Sequence, residues 1–242
     1  MPNLAAIDPA VLSIQRIEAV PRILAAVARI TGMRFTAVAR VTDTRWMACA
    51  VQDGLGFGLP AGGELELEST ICNEIRQHRQ PVVFGHASQH AVYATHHTPL
   101  RYGLESYMSV PIFRKDGEFF GTLCAIDSRP ADLDDPVIVE TLQLFAELIG
   151  IQLELSDDLD AARLRLRDAE FREQVLATTE REIRDLLLPV VTNLYLLRTS
   201  PSLSGEAGEL VTDMEASCDQ LTSMLRSKLD IALGRVAQDT PD

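Results

Sequence analysis

Residues 102–127, YGLESYMSVPIFRKDGEFFGTLCAID, contain two β-strand patterns separated by a short polar turn. The segments LESYMSVPIF and EFFGTLCAID are rich in the β-branched and aromatic residues that strands favour. Asp116 and Gly117 lie between them, and an Asp-Gly pair is a strong signal for a hairpin turn. The stretch therefore predicts two antiparallel neighbouring strands.

Helical and strand patterns alternate on both sides of this hairpin. Apolar residues at helical spacing predict helices over residues 14–32 and from 135 onward, and the segment over 63–80 enters another helix through Ser69. Short β-branched or alternating segments predict strands over residues 35–42, 46–54 and 81–87. Ser69 is the expected N-cap of the second helix, and Gly32 the expected end of the first. The order predicts an α+β domain with an antiparallel sheet and flanking helices.

Strand patterns disappear from about residue 150 onward. Apolar residues then recur every 3.5 residues, which predicts a helix that pairs with another along a narrow seam. The segment TSPSLSGEAGE, residues 199–209, interrupts this repeat and predicts a turn before a second helix. One helical hairpin cannot bury both faces, so we expect a homodimer with a four-helix bundle. The predicted division of the chain is a domain over 1–153, a coiled-coil connector over 154–175, a hairpin over 176–235 and a tail over 236–242.

Composition narrows the classes of partner and the cellular location. The chain has 22 Lys and Arg against 35 Asp and Glu, a net charge of −13, which argues against nucleic acid and anionic membranes as partners. The longest apolar stretches are interrupted short of the roughly 18–20 residues that a membrane helix needs. The N-terminus lacks a signal-peptide pattern, so a cytoplasmic location is expected. The four cysteines are far apart and predict reduced thiols, mostly buried.

The first region resembles a GAF domain, a small-molecule-sensing fold. The segment ICNEIRQHRQPVVFGHA and the stretch from Tyr102 to Asp127 carry the resemblance, which extends over residues 10–153. It implies a ligand pocket, whose candidate residues are Trp46, Tyr93, His96, His97, Tyr102, Tyr107 and Cys124. Trp46 is equally compatible with a core position. Cys124 suggests redox chemistry, but a buried cysteine in a strand is more often inert packing.

Ligand chemistry is only partly constrained by the sequence. His86, His90, His96 and His97 lie in one polar connection without a nearby cysteine, and we expect no metal site there. Bilin-binding GAF domains that tether the chromophore here use a cysteine near a histidine. The segment AVYATHHTPLRYG has no cysteine, so covalent bilin is not expected, and the cofactor remains unknown.

The second region resembles the dimerisation and phosphotransfer hairpin of sensor histidine kinases. The segment EREIRDLL matches the motif around the phosphoacceptor histidine, but Arg181 occupies the histidine position. A guanidinium stays protonated and offers no lone pair for phosphoryl transfer. Asp185 and Leu186 replace the Asn or Thr and the Pro of that motif. The chain also lacks the nucleotide-binding motifs of these kinases, so no autophosphorylation is expected.

The resemblance implies a regulator that binds other signalling proteins and has no catalytic residue. Glu180, Arg181, Glu182, Arg184 and Asp185 are the candidate docking residues, because receiver domains dock around this motif. The expected partner is a histidine kinase or a response-regulator receiver domain. Two alternatives stay open: an accessory phosphatase in which Asp185 positions water, and a ligand-binding GAF dimer without a two-component partner.

Overall fold

The computed structural model describes residues 8–199 and 207–232. It divides the chain into two compact units, with the boundary between Ala161 and Ala162. The helices and strands, in chain order, are α1 (Pro9–Gln15), α2 (Val20–Thr31), β1 (Phe35–Val41), β2 (Trp46–Asp53), β3 (Glu64–Leu65), α3 (Ile71–His78), β4 (Val82–Phe84), α4 (His97–Tyr102), β5 (Ser106–Phe113), β6 (Phe119–Asp127), α5 (Pro136–Thr199) and α6 (Ala207–Ala232).

The first unit is built on a six-stranded sheet with the strand order β3-β2-β1-β6-β5-β4. All neighbouring strands are antiparallel. The predicted hairpin is confirmed, because β5 pairs with β6 from Ser106 opposite Asp127 to Phe113 opposite Phe119. The α+β class and the antiparallel sheet are therefore as predicted.

Each face of the sheet has its own hydrophobic core, because side chains alternate along a strand. One core joins α1, α2 and α5 to the side chains of Val38, Met108 and Leu123. The other core joins α3 to the opposite side chains of the same strands, including Phe35, Tyr107 and Cys124. Of the predicted pocket candidates, Trp46, Tyr107 and Cys124 are buried in the second core, and Tyr93 and Tyr102 pack against it.

Two sequence expectations about helix boundaries are wrong. The predicted helix over 14–32 is two helices, α1 and α2, and Pro21 occupies the first turn of α2. Proline has no N–H to donate to the preceding turn, so the helix cannot continue through it. Ser69 is not the N-cap of α3. It ends a 3₁₀ turn (Leu67–Ser69), and Thr70 occupies the N-cap position.

The first part of α5 packs tightly on the sheet. Leu142, Ile149 and Leu153 are fully buried on this side of the helix. Gly150 allows close contact, because a Cβ at this position would lie 2.1 Å from the Phe113 carbonyl oxygen. An ion pair of 2.6 Å between Asp157 and Arg114, the residue after β5, ties the following turns of α5 to the end of that strand. This part of α5 therefore belongs to the domain core.

An ion pair between the partly exposed Arg34 and the buried Asp127 joins the start of β1 to the end of β6. The Arg34 Nη2 donates to Asp127 Oδ1 at 2.6 Å, and Nε donates to Oδ2 at 2.8 Å. The Arg34 backbone N–H donates to the same carboxylate. These contacts lower the pKa of Asp127 to about 2, chiefly through the side-chain hydrogen bond with Arg34.

The second unit contains the remainder of α5 and the helix α6. Lys228 on α6 forms an ion pair of 3.5 Å with Glu182 on α5, so the two helices are neighbours there. Most of the predicted turn over residues 199–209, and the predicted tail over 236–242, lie outside the described residues. The two helices agree with the predicted pattern of a helical pair.

One described helix is long and apolar enough to span a membrane by length and composition. It is α5, which has a stretch with a mean hydropathy of 1.4 between Pro136 and Leu197. The sequence expectation that apolar stretches are too short was therefore too strict. Core helices pass the same test, and α5 buries Leu142, Ala146, Ile149 and Leu153 in the domain. A cytoplasmic location remains compatible with this structure.

Candidate functional site

A small cavity of about 40 Å³ lies between the sheet and α3, in the second core. Its wall is mostly aromatic and aliphatic, and among the described residues no charged side chain lines it. Four of the predicted pocket residues lie in this wall: Trp46, Tyr102, Tyr107 and Cys124. The remaining lining residues are Phe35, Phe57, Leu59, Leu65, Thr70, Ile71, Cys72, Thr98, Leu104 and Ile126.

A group of thiols and hydroxyls lies at and behind the cavity wall. The Thr122 hydroxyl donates to the Cys72 sulfur at 3.3 Å, and the Tyr107 hydroxyl lies 3.3 Å from the same sulfur. The Cys124 thiol donates to the Ala37 carbonyl at 3.5 Å. The Cys72 sulfur therefore lies among several proton donors in an otherwise apolar region.

The two thiols differ in acidity because they interact directly. A hydrogen bond with Cys124 lowers the pKa of Cys72, opposed by burial and assisted by the hydroxyls of Thr122 and Tyr107. The same hydrogen bond, together with burial, raises the pKa of Cys124. Burial also raises the pKa of Tyr107, which keeps its hydroxyl protonated as a donor. Cys72 is thus the more acidic thiol of the pair.

Two buried polar atoms near this group have no hydrogen-bond partner among the described residues. They are the indole Nε1 of Trp46 and the Oγ of Ser109. The Trp46 N–H is near enough to the Cys72 sulfur to help lower its pKa, but its geometry is not that of a hydrogen bond. An unpaired buried donor usually costs about 1–3 kcal/mol. The Trp46 N–H therefore stays a buried donor beside the Cys72 sulfur.

The cavity is closed on one side by a glycine-rich loop between β2 and β3. Phe57 and Leu59 of this loop line the cavity. The Asp53 carboxylate accepts hydrogen bonds from four backbone N–H groups, those of residues 55, 56, 57 and 58, at 2.8–3.1 Å. Gly56 and Gly58 have positive φ angles, 77° and 80°, that allow the loop to wrap around this side chain. Asp53 thus holds Phe57 over the cavity.

The other three predicted pocket residues do not line the cavity. Tyr93 stacks on Phe84 with a ring-centroid distance of 4.2 Å. His96 Nε2 lies 2.7 Å from Glu74 Oε1, and the Nε2 of His97 lies 2.9 Å from the Glu68 carbonyl oxygen. These contacts fasten α4 to the segment around α3. Among the described residues, no group of three His, Cys, Asp or Glu side chains has the arrangement of a metal site.

Comparison with protein families agrees with this architecture. The model of the GAF domain matches residues 15–153, more than half of the chain. The chain belongs to the GAF domain family. This match confirms the resemblance derived from Tyr102–Asp127 and places the cavity within a family known by its sensory and signalling domains. A comparison with curated proteins gives no match.

Solved structures share the GAF fold at low sequence identity. The blue-light absorbing form of the PixJ GAF domain from Thermosynechococcus elongatus has a TM-score of 0.52 and 15% identity over 67% of this chain and 98% of that chain. The bacteriophytochrome RpBphP3 from the photosynthetic bacterium R. palustris has a TM-score of 0.53 and 14% identity over 69% of this chain and 40% of that chain. At such identities the likeness establishes the fold alone.

Several lining residues of the GAF cavity were not predicted. The most important is Cys72, whose partner Cys124 was singled out. The alternation of glycine with Leu55, Phe57 and Leu59 is a signal for the covering loop, since apolar residues in a flexible loop need a surface to cover. Nothing local distinguishes Cys72 from an ordinary apolar position in a helix, so only the packing of α3 on the sheet identifies it.

The predicted docking residues lie on α5 in the second unit. Glu180, Arg181, Arg184 and Asp185 are exposed, and Glu180 pairs with Arg184 at 2.7 Å. Glu182 differs from them, because it is half-buried and faces Lys228 of α6. The exposed members form a surface of mixed charge, whereas Glu182 takes part in the contact between the helices.

Proposed function

We propose that this protein is a sensory regulator without kinase activity, which binds a small molecule in its GAF domain and acts by contact with a two-component signalling protein. The observation that carries the sensory part is the apolar cavity between the sheet and α3, which Trp46, Tyr107 and Cys124 line. Small-molecule sites are typically apolar concavities with a few directed polar groups. This cavity is likewise apolar, with a volume of only about 40 Å³.

The chemistry of the wall favours an uncharged ligand. Among the described residues no cation or carboxylate lines the cavity, so a charged ligand would lose its hydration without compensation. A volume of about 40 Å³ is far below the roughly 300–1,000 Å³ of drug-sized sites. A ligand larger than a few atoms therefore requires displacement of Phe57 and Leu59. A bilin would require a much larger rearrangement, and we propose no covalent bilin.

A homodimer is part of the proposal, and the surface of α5 supports it. Large apolar side chains at intervals of three or four residues are about half exposed on the domain part of the helix: Leu144, Leu148, Ile151, Leu155 and Leu159. Such a stripe is the pattern of a helix that packs along a seam with another helix. The Leu148→Glu, Leu155→Glu double variant is expected to be monomeric in analytical ultracentrifugation, whereas an Arg165→Glu, Arg167→Glu variant stays dimeric.

The output of the regulator is assigned to the surface around Arg181. A guanidinium cannot accept a phosphoryl group, so the proposed action is binding to a histidine kinase or a receiver domain. The exposed charges of Glu180, Arg181, Arg184 and Asp185 suit a polar docking contact. Ligand binding would change this contact only if the ligand prefers one packing of α5 over another.

The test is capture of partners on the purified dimer from lysate of its own organism, with identification by mass spectrometry. We expect a histidine kinase or a response regulator to be retained by the unmodified protein and lost with Arg181→Glu, Arg184→Glu. The Arg165→Glu, Arg167→Glu variant makes the same charge change elsewhere on exposed α5 and should retain the partner. Retention of no two-component protein, or equal retention by both variants, contradicts the docking assignment.

The accessory-phosphatase alternative predicts a separate result. Asp185 is exposed and would have to position water beside an acidic phosphorylation site, where like charges repel. If a captured receiver domain loses phosphate faster with this protein and the acceleration disappears in Asp185→Ala, the alternative replaces simple binding. Equal acceleration by Asp185→Ala excludes that role for Asp185.

A further inference from the structure

Cys72 and Cys124 lie next to each other although 51 residues separate them in the sequence. Thr122 and Cys124 are two positions apart on β6, so their side chains point to the same face of the sheet. The Thr122 hydroxyl contacts the Cys72 sulfur at 3.3 Å, and Cys72 and Cys124 line the same cavity. The fold therefore brings two free thiols from α3 and β6 together.

The pair borders a cavity, which distinguishes it from inert core cysteines. Both residues line the cavity and keep 4% of their surface exposed. Cys49 provides the contrast within the same chain, because it lies in the other core and is fully buried. Burial raises the pKa of Cys49 to about 11, so it stays a thiol.

The surroundings favour a thiolate on Cys72 and a thiol on Cys124. The hydroxyls of Thr122 and Tyr107 are placed to donate to a negative Cys72 sulfur. The unpartnered Trp46 N–H faces the same region. Thiolates are the reactive form toward oxidants, and hydrogen-bond donors stabilise them. One nucleophilic sulfur next to one protonated sulfur is the arrangement of a thiol that reacts and a thiol that resolves.

We propose that Cys72 and Cys124 form a redox pair that reduces a small hydroperoxide, such as hydrogen peroxide, and closes to a disulfide in the wall of the GAF cavity. The cavity volume of about 40 Å³ suits a molecule only slightly larger than water. Hydrogen peroxide is uncharged, and the cavity suits an uncharged molecule because no charged side chain of the described residues lines it.

The proposed reaction has two steps. The Cys72 thiolate attacks one peroxide oxygen, the O–O bond breaks, and the released hydroxide takes a proton and leaves as water; Cys72 becomes a sulfenic acid. The Cys124 sulfur then attacks the sulfenic sulfur as its own proton and the hydroxyl leave as water. In total two thiols are oxidised by two electrons, one peroxide is reduced, and two waters form. The pair reacts once and needs an external thiol to return to the reduced state.

A disulfide at this place would alter the ligand cavity. It removes the Cys72 sulfur as a partner of the Tyr107 hydroxyl and ties α3 to β6. Thr70 and Ile71, which adjoin Cys72, also line the cavity. The oxidised protein therefore has a differently shaped site, which gives the sensor a response to oxidants that does not depend on the identity of its protein partner.

The test uses the full chain, fully reduced and freed of reductant, and exposed to increasing hydrogen peroxide. Samples are quenched with an alkylating agent under denaturing conditions and mapped by mass spectrometry. We expect a peptide pair linked through Cys72 and Cys124, lighter by about 2 Da than the reduced pair, and its disappearance after addition of a dithiol reductant. Cys49 should remain reduced.

Single variants separate the roles of the two thiols. In Cys124→Ala, we expect a sulfenic acid on Cys72 that the probe dimedone traps. In Cys72→Ala, we expect oxidation of Cys124 to slow roughly tenfold or more, because the acidic thiol is gone. Cys49→Ala and Cys218→Ala are the matched controls and should leave the linked pair unchanged; Cys218→Ala also removes the exposed thiol, which could link two copies.

The mapping of the unmodified chain decides the proposal even if a variant fails to fold. The proposal is overturned if Cys72 and Cys124 stay reduced at peroxide concentrations that oxidise the exposed Cys218, or if the linked pair forms only after denaturation. Stable sulfenic acid on Cys72 with Cys124 still reduced also overturns it. None of these results depends on capture of a two-component protein, so this test and that of the proposed function fail independently.

Discussion

The Arg34–Asp127 ion pair allows a quantitative prediction about the domain that carries the site. Asp127 keeps only 3% of its surface exposed, and its carboxylate receives the Arg34 side chain and two backbone N–H groups. Its pKa is lowered from 3.8 to about 2. At about 1.4 kcal/mol per pKa unit, protonation of this group costs about 2 kcal/mol of the free energy of unfolding.

Asp127→Asn approximates the protonated carboxyl in shape and charge. We therefore expect the variant to be less stable than the unmodified protein by about 2 kcal/mol at neutral pH. A lowered pKa in the folded state stabilises above the unfolded value of 3.8, and this stabilisation disappears as pH falls toward 2. The difference between the two proteins should accordingly be constant above pH 5 and shrink between about pH 4 and pH 2.

The assay is urea denaturation followed through Trp46 fluorescence at a series of pH values. Glu66→Gln is the matched control, because Glu66 also pairs with an arginine, Arg101, at 2.5 Å, but both side chains are more than half exposed. Exposed pairs contribute about 0–1 kcal/mol, so the control should change little. The reasoning is refuted if Asp127→Asn costs no more than the control, or if its cost is the same at pH 2.5 as at pH 7.

Two other predictions concern α5 and the covering loop. Gly150→Ala should destabilise the protein by about 1–3 kcal/mol in the same assay, because its Cβ would meet the Phe113 carbonyl oxygen, whereas Gly208→Ala, with open space around it, should be neutral or stabilising. Asp53→Ala should accelerate hydrogen exchange of the amides of residues 55–58 while protection in the strands is unchanged, because the side chain accepts all four of their N–H groups. Unchanged exchange at these four amides would contradict the assigned role of Asp53.

The sheet was predictable where local chemistry decides the conformation. The Asp116-Gly117 turn and the β-branched segments beside it determine a hairpin without help from distant residues. The break between α1 and α2 could also have been predicted from the sequence, because Pro21 cannot donate a hydrogen bond inside a longer helix. The two-residue strand Glu64–Leu65 was not, because it exists only through its pairing with β2.

The site was only half predictable because it depends on contacts between elements. Trp46, Tyr107 and Cys124 were found as aromatic or sulfur-containing residues in predicted strands. Cys72 was missed because its importance comes from the partner that α3 meets, which no local pattern encodes. His96 and His97 had the appearance of ligand residues, but they hydrogen-bond to Glu74 and to the backbone near α3 instead. Both side chains therefore stabilise the position of α4 next to α3 and the turn before it.

The two sides of the cavity differ in how firmly they are closed, and this identifies the route of entry. On the α4 side, Thr98 donates to the Ser69 carbonyl at 2.8 Å, and the Ser69 and Tyr102 hydroxyls are 2.7 Å apart. Thr98 and Ser69 are buried, so opening there would leave polar groups without partners. On the other side, the exposed Asp53 carboxylate binds the loop through hydrogen bonds that water can replace, and Phe57 itself makes only ring contacts there, with Phe35 and Tyr102. A ligand or a peroxide should therefore enter beneath Phe57, and the elements that carry the thiols need not move to admit it.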